Sequence, residues 1–301
     1  MSLSLQDALS QVSEQLPVEE APNPIRAVFE RSFMSAPLQR QIERCEEYEL
    51  ADLFRRWLPD HQPILEAGCG SGRWVAWSAS HGWSATGLDW SHELCQRAQS
   101  QIPAARFVQG DIRALPFADN EFGAIISLGA VEHEIAGPLA ALREFHRVLR
   151  PGGIAIITVP FGGRLRRFLY RISGWLRASL WLRRMAGKPT HGIAMADARS
   201  GSVAGWFPSL ERNRQGWYFF EYEFSRGQML HFLHQAGFKV LENTSAFAAE
   251  GLAHNFGRLV GPRWDQESGG VRLNTFGRVL GRVLSVDVTG HMLVFVVEKT
   301  T

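Results

Sequence analysis

Apolar and polar positions change period repeatedly between residues 60 and 160, and these changes predict alternating strands and helices. Short apolar runs are expected to form five strands: Pro63–Ala67, Ser84–Leu88, Ala105–Gln109, Phe122–Leu128 and Gly153–Val159. The intervals carry helical spacing, as in Pro138–Leu149, where the apolar residues fall on one face. Strands that alternate with helices in this way are typical of a doubly wound parallel sheet.

The flanking segments extend this pattern on both sides. Apolar positions in Gln41–Leu58 suit a helix packed against the sheet, whereas residues 1–40 are expected to form a loosely structured arm with short helical pieces. After residue 222 the pattern predicts a helix at Leu230–Gln235 and a strand at Phe238–Leu241. A last buried strand is predicted at Met292–Glu298.

The composition is that of a globular protein with one large core. The chain has 301 residues, of which 45% are hydrophobic and 21% charged, enough for an α/β domain and one further subdomain. The three cysteines are scattered, so a disulfide framework is not expected. We find no signal-peptide pattern and no apolar run of membrane-spanning length, and we therefore expect a cytoplasmic protein.

The positive charge is concentrated in one segment. The net charge is +2, yet the stretch from Phe145 to Ala196 contains ten basic residues and no Asp or Glu. Apolar side chains recur there every three or four positions, which predicts a basic amphipathic helix within an insert at residues 162–222. Three interpretations stay open: residues 164–188 contact an acidic membrane surface, the apolar stripe packs onto the protein body, or the segment binds single-stranded RNA.

A glycine loop follows the first predicted strand. Residues 64–72 read ILEAGCGSG, Asp89 directly follows the second predicted strand, and Asp111 follows the third. Glycines allow a ligand to approach the backbone closely, and an acid about twenty residues later can accept ribose hydroxyls. Arg73 occupies the position of the third glycine of a dinucleotide fingerprint, so that fingerprint is not met. The sequence therefore predicts a nucleoside at the carboxyl edge of the sheet.

Together with Leu115–Phe117, Phe122–Ser127 and Val148–Gly153, these motifs resemble class I S-adenosylmethionine-dependent methyltransferases. The similarity covers roughly residues 60–160 and, more loosely, the chain after residue 222. It implies a doubly wound, mostly parallel, Rossmann-like sheet of seven strands, whose last strand runs antiparallel beside the fifth. It also implies S-adenosyl-L-methionine as the cofactor.

The resemblance assigns the following positions to the cofactor: Glu66, Gly68, Cys69, Gly70, Gly72, Asp89, Trp90, Asp111, Ile112, Leu128 and Gly129. In that family the glycine loop faces the methionine part, and Asp89 would bind the ribose. Trp90 would lie against the adenine, while Asp111 and Ile112 would hold its amino group and edge. Simpler roles stay open, with Asp111 as a solvated turn residue and Trp90 and Ile112 as core.

The segment after the fourth predicted strand is the candidate acceptor site. In the resembled family the loop at Ile126–Glu134 borders the transferred methyl group, and His133 is the candidate catalytic residue, as a base or an orienting group. Alternatively, His133 only braces the loop through a backbone hydrogen bond. Some family members, including quinone O-methyltransferases, bind a divalent cation here through Glu-x-x-Glu-His. Gly129 stands in place of the first Glu, so no metal site is predicted.

We therefore predict a methyltransferase that acts on a small-molecule or lipid-like acceptor by in-line displacement. Two alternatives are retained: an RNA or protein methyltransferase that docks through the basic insert, and a cofactor-binding module without catalysis. Four regions are predicted: an N-terminal arm and cover helix (1–58), a cofactor-binding core (59–161), the basic insert (162–222) and the completion of the sheet (223–301). Nucleic acid is the less favoured partner, and the oligomeric state and residues 245–290 are left open.

Overall fold

The computed structural model describes residues 24–34, 37–134, 136–163, 207–213, 216–256, 259–261, 271 and 273–300. The first elements are α1 (Pro24–Met34), α2 (Leu38–Glu43), a 3-10 turn (Arg44–Glu47) and α3 (Glu49–Trp57). The core then contains β1 (Pro63–Ala67), α4 (Arg73–Ser80), β2 (Ser84–Asp89), α5 (His92–Gln101), β3 (Arg106–Gln109), β4 (Phe122–Leu128), a 3-10 turn (Val131–His133), α6 (Leu139–Val148) and β5 (Leu149–Pro160). The C-terminal part contains β6 (Phe207–Asn213), β7 (Gly216–Glu223), α7 (Arg226–Gln235), β8 (Phe238–Ala246), α8 (Ala248–Phe256), α9 (Thr275–Val283), α10 (Val286–Thr289) and β9 (Met292–Lys299).

Seven strands form the main sheet in the order β3-β2-β1-β4-β5-β9-β8. The pairs from β3 to β5 are parallel, and β9 runs antiparallel to both β5 and β8. This arrangement confirms the predicted doubly wound sheet and its antiparallel last strand beside the fifth. Because the parallel strands share one direction, β1, β2 and β4 all end at the same edge.

Helices cover both faces of the sheet, which explains why its central strands are apolar at successive positions. Along β4, Ile125 packs into the cluster that includes Phe145 of α6, whereas Ile126 packs into the cluster that includes Trp74 of α4. The second cluster also holds Phe54 of α3, whose ring meets Trp74 in a T-shaped contact at 4.9 Å. Packing on both sides thus holds the strand ends in place.

The prediction of one continuous helix over Gln41–Leu58 is wrong. The structure divides it at Tyr48, whose backbone is extended between the 3-10 turn and α3. That conformation brings the Tyr48 ring to Phe247, with centroids 5.7 Å apart, and to Trp74, at 6.2 Å. Tertiary packing of one aromatic side chain has therefore overridden the local helical spacing.

The last part of the predicted helical insert is a β-hairpin formed by β6 and β7. Residues 216–223 read GWYFFEYE, and such aromatic runs favour a strand over a helix. The Phe224 N–H donates to the Pro160 carbonyl (3.0 Å) and the Gly162 N–H to the Phe224 carbonyl (2.9 Å), so the hairpin adjoins the end of β5. The basic helix predicted at residues 164–188 lies outside the described residues, and the four-region division stays a prediction.

Residues 245–290, which the sequence pattern left unassigned, include α8, α9 and α10. Gly251 permits close helix contact here, because an added Cβ would lie 1.7 Å from the Thr289 carbonyl oxygen. A small hydrophobic cluster of Leu252, Ala253 and Val260 fills the space beside it. In the part of the chain that the structure describes, no helix has both the length and the apolar character needed to cross a membrane.

Candidate functional site

A cleft of about 280 Å³ opens at the carboxyl ends of β1, β2 and β4. It is lined by Phe29, Phe33, Gly68, Asp89, Trp90, Leu94, Asp111, Ile112, Arg113, Leu128, Gly129, Ala130, His133 and Glu134. The structure thus brings together eight residues that the sequence singled out: Gly68, Asp89, Trp90, Asp111, Ile112, Leu128, Gly129 and His133. The remaining four, Glu66, Cys69, Gly70 and Gly72, are not among the lining residues.

The glycine loop turns sharply between β1 and α4. Gly68 has φ +84°, and an added Cβ would lie 2.7 Å from the Cβ of Ala130 in the loop after β4. The N–H groups of Gly68 and Cys69 both donate to the Leu88 carbonyl, at 2.8 and 2.9 Å, which ties the loop to β2. Gly68 therefore presents bare backbone to the cleft, where a side chain would not fit. Burial raises the pKa of the Cys69 thiol well above its ordinary value, so the thiol is protonated at neutral pH, and its side chain packs in a hydrophobic cluster.

Asp89 connects the end of β2 to the glycine loop. Its side chain is largely buried, at 5% exposure, and its Oδ2 accepts a hydrogen bond from the Gly70 N–H at 2.9 Å. Its Oδ1 accepts from the Ser91 N–H, also at 2.9 Å. Ser91 in turn caps α5 by accepting from the Leu94 N–H. These bonds hold the Asp89 carboxylate against the cleft wall. Gly70 does not line the cleft, but its N–H helps to fix the position of Asp89.

Asp111 is held by Arg113, a residue that the sequence analysis missed. Arg113 Nε donates to both carboxylate oxygens of Asp111 at 3.0 and 2.9 Å, and Nη2 donates to Oδ2 at 2.6 Å. Arg113 Nη1 also donates to Glu134 Oε2 at 2.6 Å, which joins the loops after β3 and β4. The Arg113 guanidinium lowers the pKa of Asp111, so its carboxylate stays ionised at neutral pH.

Helix α1 closes one side of the cleft with two aromatic side chains, which the predicted loose arm did not identify. The Phe33 ring packs over Gly70, since an added Cβ there would lie 2.9 Å from the ring. Phe29 meets His133 in a T-shaped contact at 4.8 Å and stacks on Phe220 of β7 at 5.8 Å. The spacing of Phe29 and Phe33 by four residues was the available signal, because helical residues four apart share a face.

His133 also lines the cleft, on the 3-10 turn after β4. Its Nδ1 is 2.7 Å from the Phe220 carbonyl oxygen; since a carbonyl only accepts, Nδ1 carries the proton. Burial lowers the pKa of His133, although the carbonyls of Phe220 and Gly129 oppose that change. The imidazole is therefore neutral at pH 7, with its Nε2 lone pair available.

A larger surface hollow of about 720 Å³ lies between the Arg44–Glu49 segment, α8 and α9. It includes the charged residues Arg44, Glu250, Arg278 and Arg282, and none of the predicted site residues. The cleft at the strand ends is smaller, but it is where open α/β sheets bind ligands. We therefore assign the candidate site to the cleft.

The chain has the fold of S-adenosylmethionine-dependent methyltransferases, and part of it matches a methyltransferase family. Residues 65–157 match the family model described as a methyltransferase domain. A solved S-adenosylmethionine-dependent methyltransferase from Methanosarcina mazei has the same fold, with a TM-score of 0.53 and 18% identity, over 82% of this chain and 97% of that chain.

Curated relatives match half of the chain or less. A malonyl-[acyl-carrier protein] O-methyltransferase of Pseudescherichia vulneris is 35% identical over 145 residues, covering 47% of this chain and 55% of the relative. A demethylmenaquinone methyltransferase of Chlorobaculum parvum is 36% identical over 98 residues, covering 32% and 40%. The chain thus spans about half the length of the curated relatives it matches, or less.

The Arg113→Ala substitution is expected to weaken S-adenosylmethionine binding by about threefold to tenfold, because Asp111 loses its charged partner and its fixed orientation. Calorimetric titration of the cofactor measures the change. Arg150→Ala is the control, since Arg150 lies near the start of β5, at the opposite edge of the sheet, and should leave the affinity unchanged. Equal affinities for both variants would contradict a role of the Arg113–Asp111 pair in adenine recognition.

Proposed function

We propose that this protein is an S-adenosylmethionine-dependent methyltransferase that methylates a small-molecule or lipid-like acceptor. The observation that supports it most is the convergence of the Gly68 backbone, Asp89 and Asp111 on one cleft, from three different loops of the sheet edge. A nucleoside carrying an amino acid tail needs such a set, with bare backbone at one end and fixed acceptors along the other.

The residues of the cofactor side have separate roles in this proposal. Asp89 would accept hydrogen bonds from the ribose hydroxyls. Asp111 would accept a hydrogen bond from the adenine amino group, and the adenine would lie beside Trp90 and Ile112. Phe33, over the glycine loop, would exclude water from the methionine part. When bound, S-adenosylmethionine supplies an electrophilic methyl group on a sulfonium sulfur, and alignment of the acceptor with that methyl can provide much of the rate enhancement.

The acceptor side is aromatic. The rings of Phe29, His133 and Phe220 contact one another, with centroids 4.8 to 5.8 Å apart. Such a wall suits an acceptor with an apolar or aromatic body, whereas the neutral His133 imidazole could orient a hydroxyl or take its proton. The two curated relatives are named for a malonyl-acyl-carrier-protein and for a demethylmenaquinone, and these two acceptor classes are the first to test.

The test begins with calorimetric titration of S-adenosylmethionine and its demethylated product into the folded protein, with NAD⁺ as the matched control ligand. We expect saturable binding of the first two and none of NAD⁺, because Arg73 replaces the third glycine of the dinucleotide fingerprint. Methyl transfer is then followed with isotopically labelled cofactor on a malonyl thioester and on a demethylated quinol. Absence of cofactor binding in a folded sample would reject the proposed function, and binding without transfer to either would reject these acceptor classes.

A further inference from the structure

Three side chains with metal-binding atoms meet beside the cleft. Glu132 and His133 lie on the 3-10 turn after β4, and Glu221 is brought to them by β7 of the hairpin. One potential ligand atom from each residue lies within 4.8 Å of the other two. The sequence predicted no metal because Gly129 replaces the first acid of Glu-x-x-Glu-His. Glu221, which comes from a remote strand, adds a second carboxylate that this motif does not contain.

The surroundings of Glu132 also indicate that this cluster lacks a positively charged partner. Its side chain is 2% exposed, and its Oε2 has no hydrogen-bond partner among the described residues. A buried carboxyl group of this kind is normally paired or coordinated, so its oxygen calls for a positive partner.

The histidine is already oriented as a metal ligand. Its Nδ1–H donates to the Phe220 carbonyl, which leaves the Nε2 lone pair for a metal ion. The Nε2 atom lies 3.9 Å from Glu132 Oε1. Metal-binding histidines usually donate their other ring N–H to a carbonyl or carboxylate in this way. Since Phe220 precedes Glu221, the same strand of the hairpin fixes the imidazole and supplies a carboxylate.

We propose that Glu132, His133 and Glu221 bind a divalent transition-metal ion, Mn²⁺ or Zn²⁺, beside the methyl-acceptor end of the cleft. One imidazole nitrogen and two carboxylates favour such ions over Ca²⁺, which takes only oxygen ligands. Three protein ligands leave coordination positions open for water or for an oxygen atom of the acceptor. With the ion bound, the Nε2 lone pair of His133 is occupied, and the open position on the ion orients the acceptor oxygen in its place. Binding of the ion itself does not depend on methyl transfer.

The test titrates Mn²⁺ into the full chain and measures the free ion by electron paramagnetic resonance. We expect saturable binding of one Mn²⁺ per chain, displaced by Zn²⁺. Glu221→Gln and Glu132→Gln should each weaken binding by at least about tenfold. The control is the Glu298→Gln variant, which should bind Mn²⁺ like the unaltered protein. Glu298 lies near the C-terminal end of β9, and its carboxylate is paired with Lys239. Unchanged affinity in a folded Glu221→Gln variant would overturn the proposal.

Wild-type protein provides a second readout if the buried Glu132 variant does not fold. Electron spin echo spectra of the Mn²⁺ complex should contain modulation from a directly coordinated imidazole nitrogen, and its absence would also overturn the metal site. S-adenosylmethionine binding is measured on the same samples. Mn²⁺ binding without cofactor binding would reject only the proposed function, and cofactor binding without Mn²⁺ binding would reject only the metal site.

Discussion

Asp89→Ala is expected to weaken S-adenosylmethionine binding by at least about 100-fold, as measured by calorimetric titration. The carboxylate would accept two ribose hydroxyls, and each hydrogen bond to a charged group contributes about 1.5–3 kcal/mol, whereas about 1.4 kcal/mol corresponds to a tenfold change in affinity. The substitution also leaves the Gly70 and Ser91 N–H groups without their acceptor, which loosens the glycine loop. Both effects act in the same direction.

Asp119→Asn is the matched control for this experiment. Asp119 is an exposed carboxylate paired with Arg147, remote from the lining of the cleft, and its variant should bind the cofactor normally. Thermal unfolding of the Asp89→Ala protein checks that it remains folded. If folded Asp89→Ala binds within about threefold of the unaltered protein, Asp89 is not the ribose ligand.

Glu66→Gln is expected to make the protein more stable at alkaline pH. Glu66 is 4% exposed, and burial, with a smaller contribution from Asp89, raises its pKa from 4.5 to about 8 against the opposing effects of Arg73 and the Val75 N–H. Between these pH values the unfolded chain has lost the proton that the native protein retains, so the free energy of unfolding falls as pH rises. At about 1.4 kcal/mol per pKa unit, the penalty is on the order of 4 kcal/mol at pH 8 and above.

Urea unfolding at pH 5 and pH 8.5 measures this effect, because the Gln variant should exceed the unaltered protein in stability by less than about 1 kcal/mol at pH 5 and by about 4 kcal/mol at pH 8.5. Glu144→Gln provides a control of opposite sign. The Arg147 guanidinium lowers the pKa of Glu144, so its ionised form stabilises the native state above pH 4.5, and this contribution is lost as pH falls through the lowered pKa. Parallel pH profiles for Glu66→Gln and the unaltered protein would show that Glu66 is ionised in the native state.

The cluster of Glu132, His133 and Glu221 and the contacts of Arg113 with Asp111 could not be predicted from the sequence, for the same reason. Arg113 and Glu134 belong to loops after different strands, and the hydrogen bond from His133 to Phe220 joins residues 87 positions apart. Neither pair has a spacing that a helix or strand would produce. The hairpin that carries Glu221 was also predicted as part of a helical insert, so its register could not be used.

The sequence by itself determined the doubly wound sheet, the glycine loop and the acids at the ends of β2 and β3. These follow from local patterns: apolar runs of strand length, a G-x-G-x-G turn, and the rule that parallel strands end at one edge. Only the tertiary structure decided that Phe33 covers the loop, that Arg113 holds Asp111, and that Glu221 joins Glu132 and His133. Each of these contacts depends on how separate segments pack, and packing is set by the whole core, whereas periodicity reports only which face of an element is buried.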